Sequence, residues 1–486
     1  MTYIRKVPTA SGATAVQIIS KNHGHIERLE HIGSAHSKDE LAKLLALAGQ
    51  RLHVDQTSLL PTTPISHIYQ RQAVSWLLGS CLRLVYQQLG LDTLRDEVFE
   101  LLCIARIVEP VSKLDSIRVL KDLGITDLSN AAIHRCLKRV IAGNYRDKLA
   151  KLCFARARSS GDLTLVLYDV TTLYFEIQQE DDYRIPGLSK ERRLEPQIVV
   201  GLLVDRNGFP LELHSFEGNK AETKTILLVM EAFKQRHNLT NISVVADAGM
   251  LSRGNLAELE RAGYGYIVGS RLNKIPYDIE QYQKKGELHD GQIVVSKSKV
   301  ADQHIIYQYR EKRAALDRRN IAKQIAKAEN IVKGKAPMKR SKFVRLTTVN
   351  GSRSLNTALI DKALSLVGIK GYVTNLDIPP EQVISNYHEL WHVEQSFRMS
   401  KSDLKARPIF HHQRDSIEAH LTIVMAALAV SKNIEQRTGL SKKKLINNLK
   451  TIRSGSVTIN GQEYPTKPEI SKEMGSILNC LDYVGD

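Results

Sequence analysis

Between residues 160 and 270 the chain alternates short apolar runs with segments of helical period, and few folds tolerate that alternation. Residues 163–169, 197–204 and 210–216 are strand-like, with Asn207-Gly208 as a hairpin turn between the last two. A helical segment over 223–235, a strand-like run over 242–247, a second helix over 255–261 and a strand-like run over 264–268 complete the series. Three strands, a helix, a strand, a helix and a strand predict a mixed α/β domain. Two of the runs stop on an acid, Asp169 and Asp247. Each reads as a buried strand with a carboxylate at its C-terminal edge.

A second feature lies downstream. Tyr387, Leu390, Glu394 and Lys401 are spaced by three, four and seven residues. Seven residues make almost two helical turns, so Tyr387, Glu394 and Lys401 are expected on one stripe of one helix. Helices normally turn an apolar stripe to the core, whereas this one carries a phenol, a carboxylate and an ammonium. Two strand-end aspartates and one helix glutamate form a donor set suited to hard divalent cations such as Mg²⁺. A pair of such ions activates an attacking oxygen and stabilises a leaving oxygen in phosphoryl transfer.

The stretch 387–401 resembles the Y-x2-R-x3-E-x6-K signature of DDE transposases of bacterial insertion sequences, in the branch of the insertion-sequence-four superfamily. Residues 168–176, 246–252 and 400–405 strengthen the likeness. The resemblance implies a ribonuclease-H-like catalytic core over 159–271 and 371–435. It implies that Asp169, Asp247 and Glu394 are the catalytic, metal-binding acids, holding two Mg²⁺ ions with Mn²⁺ accepted in their place. Tyr387 and Lys401 are then DNA contacts. Leu390 stands where the signature has arginine, and Arg398, one turn beyond Glu394, is the candidate substitute. The implied activity is cleavage of the ends of an insertion element and transfer of the freed 3′-hydroxyl strands to target DNA, by a dimer or larger assembly. A catalytically inactive DNA-binding descendant and a structure-selective nuclease of the same core are the alternatives.

Charge supports a polyanionic partner. The chain has 486 residues with a formal charge of +17, a surplus that favours nucleic acid or an anionic membrane, and the resemblance implies double-stranded DNA. No apolar run reaches about 18 residues, so no membrane partner is expected. The five cysteines, Cys81, Cys103, Cys136, Cys153 and Cys480, are scattered without metal-binding spacing and read as reduced core thiols. These features place the protein in the cytoplasm, associated with the nucleoid.

The remaining segments organise around this core. Residues 1–65 read as a small β unit plus a helix opened by the capping-box pattern Ser37 to Glu40. Residues 66–158 are helical, a possible DNA-binding domain. Within it, 112–123, Gly124 and 129–140 have the pattern of a helix-turn-helix carrying His134, Arg135, Lys138 and Arg139, or of two ordinary bundle helices. Residues 272–370 form a basic insertion before Glu394. From Lys312 to Arg345 there are twelve Lys/Arg against two acids, and Lys333, Lys335, Lys339 and Arg340 are expected on DNA. Residues 436–486 are a C-terminal basic tail with a cluster at Lys442, Lys443, Lys444, Lys450 and Arg453. Trp391 is expected in the core, and His411-His412 as structural.

Overall fold

A computed structural model describes residues 2–22, 24–52, 68–70, 73–161, 163–176, 179–187, 195–249, 252–270, 272, 276–297, 303–337, 341–346, 353–459, 462–466 and 468–484. It divides into two compact units, one of residues 1–69 and 457–464, the other of residues 70–456 and 465–486. The helical stretch expected at 66–158 and the insertion expected at 272–370 lie, save for a few N-terminal residues, inside the second unit.

The first unit is an antiparallel sheet of β1 (Thr2–Pro8), β2 (Thr14–Asn22) and β3 (His25–Ala35), packed against helix α1 (Lys38–Leu52). The capping residues act as the pattern requires. Ser37 Oγ accepts from the Glu40 backbone N–H at 3.2 Å, and the Glu40 carboxylate accepts from the His36 N–H at 2.8 Å. Val16, Ile18 and Ala48 form the buried centre. A short strand, β4 (Ile68–Gln70), follows α1.

The second unit opens with five helices: α2 (Trp76–Gln88), α3 (Glu97–Val108), α4 (Ser116–Asp122), α5 (Asn130–Ala142) and α6 (Tyr145–Ser160). In α2 the buried residues Leu77, Leu78, Cys81, Leu82 and Val85 recur at three and four, one apolar face. Four of the five cysteines are buried here as packing groups, and Cys480 is exposed. Asp96 ties three helices together. It caps α3 through the Phe99 N–H at 3.1 Å, takes two bonds of 2.8 Å from Arg139 of α5, and accepts from the Tyr145 hydroxyl of α6 at 3.0 Å. Arg139, a base-reading candidate in the helix-turn-helix alternative, is thus engaged by Asp96, with its side chain still 46% exposed.

The catalytic-core pattern produces an eight-stranded mixed sheet. Its strands are β5 (Leu165–Tyr174), β6 (Gln197–Val204), β7 (Pro210–Glu217), β8 (Ser243–Ala246), β9 (Gly265–Ser270), β10 (Ile293–Lys297), β11 (His304–Tyr309) and β14 (Ile369–Thr374). The spatial order is β10-β11-β14-β9-β8-β5-β6-β7. β5, β6 and β7 pair antiparallel, while β5, β8 and β9 are parallel. Within it, β7-β6-β5-β8-β9 has the order and directions of the ribonuclease-H-like core. Helices α7 (Thr225–His237) and α8 (Arg253–Arg261) make the crossovers. The Tyr168 hydroxyl donates to Thr225 Oγ1 at 2.8 Å, so α7 lies on the face opposite Asp169.

The insertion is not a separate appendage. After α9 (Tyr277–Lys285), β10 and β11 form a hairpin that joins β14 and widens the core sheet. Outside the sheet lie α10 (Glu311–Val332), the small pair β12 (Val344–Leu346) and β13 (Arg353–Leu355), and α11 (Thr357–Ser365).

The expected single helix through Tyr387 and Lys401 is three pieces. α12 (Pro380–His388) ends, the backbone tightens at Glu389 and Leu390, and α13 (Trp391–Arg398) begins, running into a wide π turn over Met399–Asp403. At the joint, the Leu390 N–H bonds to the Tyr387 carbonyl and the Val393 N–H to the Leu390 carbonyl, three residues back in each case. α14 (Arg414–Thr438) then runs through the core. It is the one helix among the described residues long and apolar enough to cross a membrane, and 94% of its apolar stretch is buried inside the protein. α15 (Lys442–Lys450), β15 (Gly455–Ile459), β16 (Gln462–Thr466) and α16 (Lys472–Cys480) complete the chain. The C-terminal basic cluster is largely spent on structure. Lys442 is buried and donates to the carbonyls of Ile107 and Asp403, Lys450 pairs with Glu109 and Asp122, and Arg453 pairs with Asp122.

Burial alone would raise the Asp96 carboxyl, but its bonds to Arg139, the Phe99 N–H and Tyr145 more than offset that and hold it below the usual carboxylate range. A lowered carboxyl stabilises the fold above its unfolded pKa, and the contribution is lost as pH falls through the folded value. Asp96→Ala should cost about 2 kcal/mol in denaturant titration at neutral pH, because α3 loses its N-cap and the Tyr145 hydroxyl loses its acceptor. The gap between variant and wild type should close in strong acid.

Candidate active site

The sheet register sets the site. β5 and β8 pair in parallel as Leu165 with Ser243 and Leu167 with Val245. Asp169 and Asp247 each lie two residues beyond the last pair of that ladder, which ends at Leu167 and Val245. One further step along β8 and β9, which pair Ala246 with Val268, brings Gly269 level with Asp247. Gly269 in turn pairs with Tyr372 of β14. Gly269 and Tyr372 are thus paired beside Asp247, which follows the end of β8. β5 does not stop at Asp169 as its apolar run predicts. Beyond Leu167 it loses β8 but keeps its ladder with β6 as far as Tyr174. Asp169 is therefore mid-strand and half-buried, while Asp247 lies just past its strand and is exposed.

α12 lies over this pair. A Cβ at Gly269 would stand 2.7 Å from the Tyr387 hydroxyl oxygen, so the glycine leaves room for that ring. The Tyr387 ring meets Tyr372 edge to face at 5.0 Å, and its hydroxyl donates to Asp247 Oδ1 at 3.1 Å. Burial first, and then the Asp247 charge and its hydrogen bond, push the Tyr387 phenol well above its ordinary pKa, which keeps it a proton donor. Tyr387 thus serves Asp247, a role its spacing in the sequence did not disclose.

Glu394 is exposed on α13, which packs on β5 and β6. Its charge is felt by both Tyr387 and Lys370. Lys370 on β14 was not among the expected site residues. Its ammonium lies 4.3 Å from the Tyr387 ring centre and 5.6 Å from that of Tyr372, a cation held over aromatic faces. Burial and the nearby Arg313 lower its pKa, against the pull of Asp247 and Glu394. A lysine inside the otherwise apolar run 369–374 was the available signal.

The other expected residues divide. Leu390 is buried, so the signature arginine is replaced by a core side chain. Arg398 is exposed one turn past Glu394. Lys401 lies in the π turn and lines a small void with Thr171, Leu173 and Phe397, further along β5 than Asp169. Arg206, from the β6–β7 turn, donates to Glu389 at 3.0 Å and to Asn386, clamping the joint between α12 and α13. Lys333 is exposed near Glu329 at 3.9 Å, and Lys335 is exposed. Lys339 and Arg340 lie outside the described residues. Trp391, expected in the core, is 49% exposed and rests on the His392 ring at 3.9 Å. Its position at the start of α13, just after the tightened joint, turns it outward.

Among the described residues no three Asp, Glu, His or Cys side chains converge on one point suited to a metal ion. Two carboxylates just beyond the shared ladder of adjacent strands do fit a divalent cation by donor chemistry, with Glu394 a further acid on the helix packed against β5.

The profile of the transposase DDE domain matches residues 160–430, more than half of the chain. The protein belongs to the DDE-domain transposase family. Members of this family work with divalent metal ions. Among solved structures, the chain is similar to the piggyBac transposase synaptic complex with hairpin DNA. Identity is 10% and the TM-score 0.40, over 77% of this chain and 76% of that one. It also matches the Mos1 transposase paired-end complex with the left transposon end, at 10% identity and a TM-score of 0.16, over 48% and 67% of the two chains. No curated protein sequence matches.

Gly269→Ala should displace Tyr387, since the methyl would overlap the hydroxyl and also meet Ala248 Cβ at 3.0 Å. Tyr387→Phe should cost only about 1 kcal/mol, the worth of one hydrogen bond. Melting curves check both. Gly269→Ala losing no more stability than Tyr387→Phe would show that the ring does not depend on the glycine.

Proposed function

We propose that the protein is a transposase of the insertion-sequence-four type that cleaves the ends of its own element and joins them to target DNA. The observation that carries the reading is that Asp169 and Asp247 each follow, by two residues, the end of the parallel ladder between β5 and β8, with Glu394 on a helix packed against β5. Water attacks the phosphodiester, a P–O bond forms, and the bond to the 3′ oxygen breaks to leave a 3′-hydroxyl and a 5′-phosphate. That hydroxyl then attacks a target phosphodiester in line, displacing a second 3′ oxygen. Asp169, Asp247 and Glu394 would hold divalent ions, Mg²⁺ with Mn²⁺ accepted, and ions held there would supply Lewis-acid chemistry for both displacements. Tyr387 fixes the Asp247 carboxylate by its hydrogen bond. Lys370, in place of the arginine absent at Leu390, sets a compact cation against a DNA phosphate, and Lys401 and Arg398 flank the strand further on. Lys333, Lys335, Lys339 and Arg340 extend the contact along the insertion. The working form is a dimer or larger on double-stranded DNA, one site for each element end.

Purified protein, labelled element ends, a plasmid target and Mg²⁺ test the reading. Nicked ends and sequenced junctions are expected. Binding without nicking or joining would leave only a DNA-binding descendant, and cleavage without joining a nuclease. Asp169→Ala, Asp247→Ala and Glu394→Ala should each abolish cleavage while most affinity remains, because affinity comes from cations on phosphates. Retained Mg²⁺-dependent cleavage in any one of them removes that residue from the site. Lys370→Met should flatten the plot of log affinity against log salt by about one unit, with Lys370→Arg restoring it. An unchanged slope in Lys370→Met takes that lysine off the DNA.

A further inference from the structure

Beyond the end of β5, away from the acids, a cleft of about 740 Å³ gathers positive charge. Six basic side chains line it: Arg106, Lys113, Lys405, Arg407, His411 and His420. One acid, Asp115, shares the lining, and Arg118 already holds it at 3.0 Å. Arg106 and His420 are buried, at 7% and 4% exposure. Arg106 reaches only the carbonyls of Leu404 and Lys405, at 3.4 Å each. Lys113 Nζ lies 3.2 Å from His420 Nδ1, and His420 Nε2 lies 3.2 Å from the Ala406 carbonyl. No carboxylate among the described residues forms an ion pair with Arg106 or Lys113.

Arg106 is the buried cation of this set, and it has no counter-charge among the described residues; the histidines and Lys113 crowd it with basic groups rather than acids. Burial, followed by repulsion from Arg106, drives the Lys113 ammonium well below its ordinary range. Burial and the charges of Lys113 and Arg106 take His411 down to about 4. The opposite wall is apolar, formed by Pro110, Val111 and Pro408, with Phe410 at its mouth and 62% exposed. An anion seat beside an exposed aromatic ring has the two parts that a nucleotide presents, a phosphate and a flat base. Arg407 rests over the Tyr174 ring at 5.3 Å, which puts the rim five residues along β5 from Asp169, roughly 17 Å.

We propose that this cleft is a binding site for the phosphate of a nucleotide, with Arg106 and Lys113 on the phosphate and Phe410 against the base. The phosphate comes from DNA or from a free nucleotide. The DNA source rests on the function proposed above, and the free source does not.

The test reads binding only, never cleavage, so its failure is distinct from failure of the transposase reading. The probes are inorganic phosphate, a deoxynucleoside monophosphate and a short DNA duplex. Wild-type protein should melt higher with phosphate, and the monophosphate should bind about tenfold more tightly than phosphate itself. Lys113→Met should abolish the rise, yet without ligand it should melt no lower than wild type, since a repelled cation has gone. Phe410→Ala, an exposed change that leaves folding intact, should erase the advantage of the monophosphate alone. If DNA is the source, Lys113→Met also flattens the salt dependence of duplex binding by about one unit. If only the small anions respond, the source is a free nucleotide. Equal melting shifts in Lys113→Met and wild type, or no phosphate response together with an unchanged duplex slope, would overturn the proposal.

Discussion

The parallel pairing of β5 with β8 is the constraint on which the site depends. Strand register is quantised in units of one residue, and a slip of one sends a side chain to the other face. Leu165, Val166 and Leu167 against Ser243, Val244 and Val245 are buried or nearly so, and their pairing fixes the faces on which Asp169 and Asp247 emerge two residues later. The core anchors that end of β5, where Tyr168 and Val170 on either side of Asp169 are fully buried.

Positive charge is distributed with the same economy. Much of the surplus of +17 is not a free basic surface. Arg139 and Lys442 serve the helical region and the C-terminal segment as donors to buried acceptors, and Lys450 and Arg453 close ion pairs. Lys370 and the group around Arg106 stand beside acids or a cavity, and Arg398, Lys333 and Lys335 remain exposed. Net charge therefore announces a polyanionic partner without saying which residues meet it.

Much of the core was legible in the sequence. The seven-element pattern from 160 to 270 returned as β5 to β9 with α7 and α8, because each run buries a full face and turn residues separate them. What escaped notice depends on long-range pairing. Nothing local tells that β5 continues past Asp169, since β6 lies about thirty residues downstream and supplies the ladder. Nothing local tells that β14 carries Lys370 to the Tyr387 ring. The heptad-like spacing of Tyr387, Glu394 and Lys401 was read as one helix, and it failed where the backbone tightens at Leu390 and widens after Arg398.

The place of β14 has a mechanical consequence. This strand begins at the last residues of the insertion and runs into the core, paired with β9 on one side and β11 on the other. α10 is fastened to the same strand's start, with the Arg310 N–H on the Gly368 carbonyl at 3.0 Å and the Gly368 N–H on Asp317 at 3.1 Å. A load applied to α10 has no hinge to dissipate in before it reaches the sheet. It would pass along a ladder of backbone bonds to Lys370 and Tyr372, one residue pair away from the glycine beneath Tyr387. The insertion is thus a lever welded to the floor of the active site, and whatever it grips is felt there as tension.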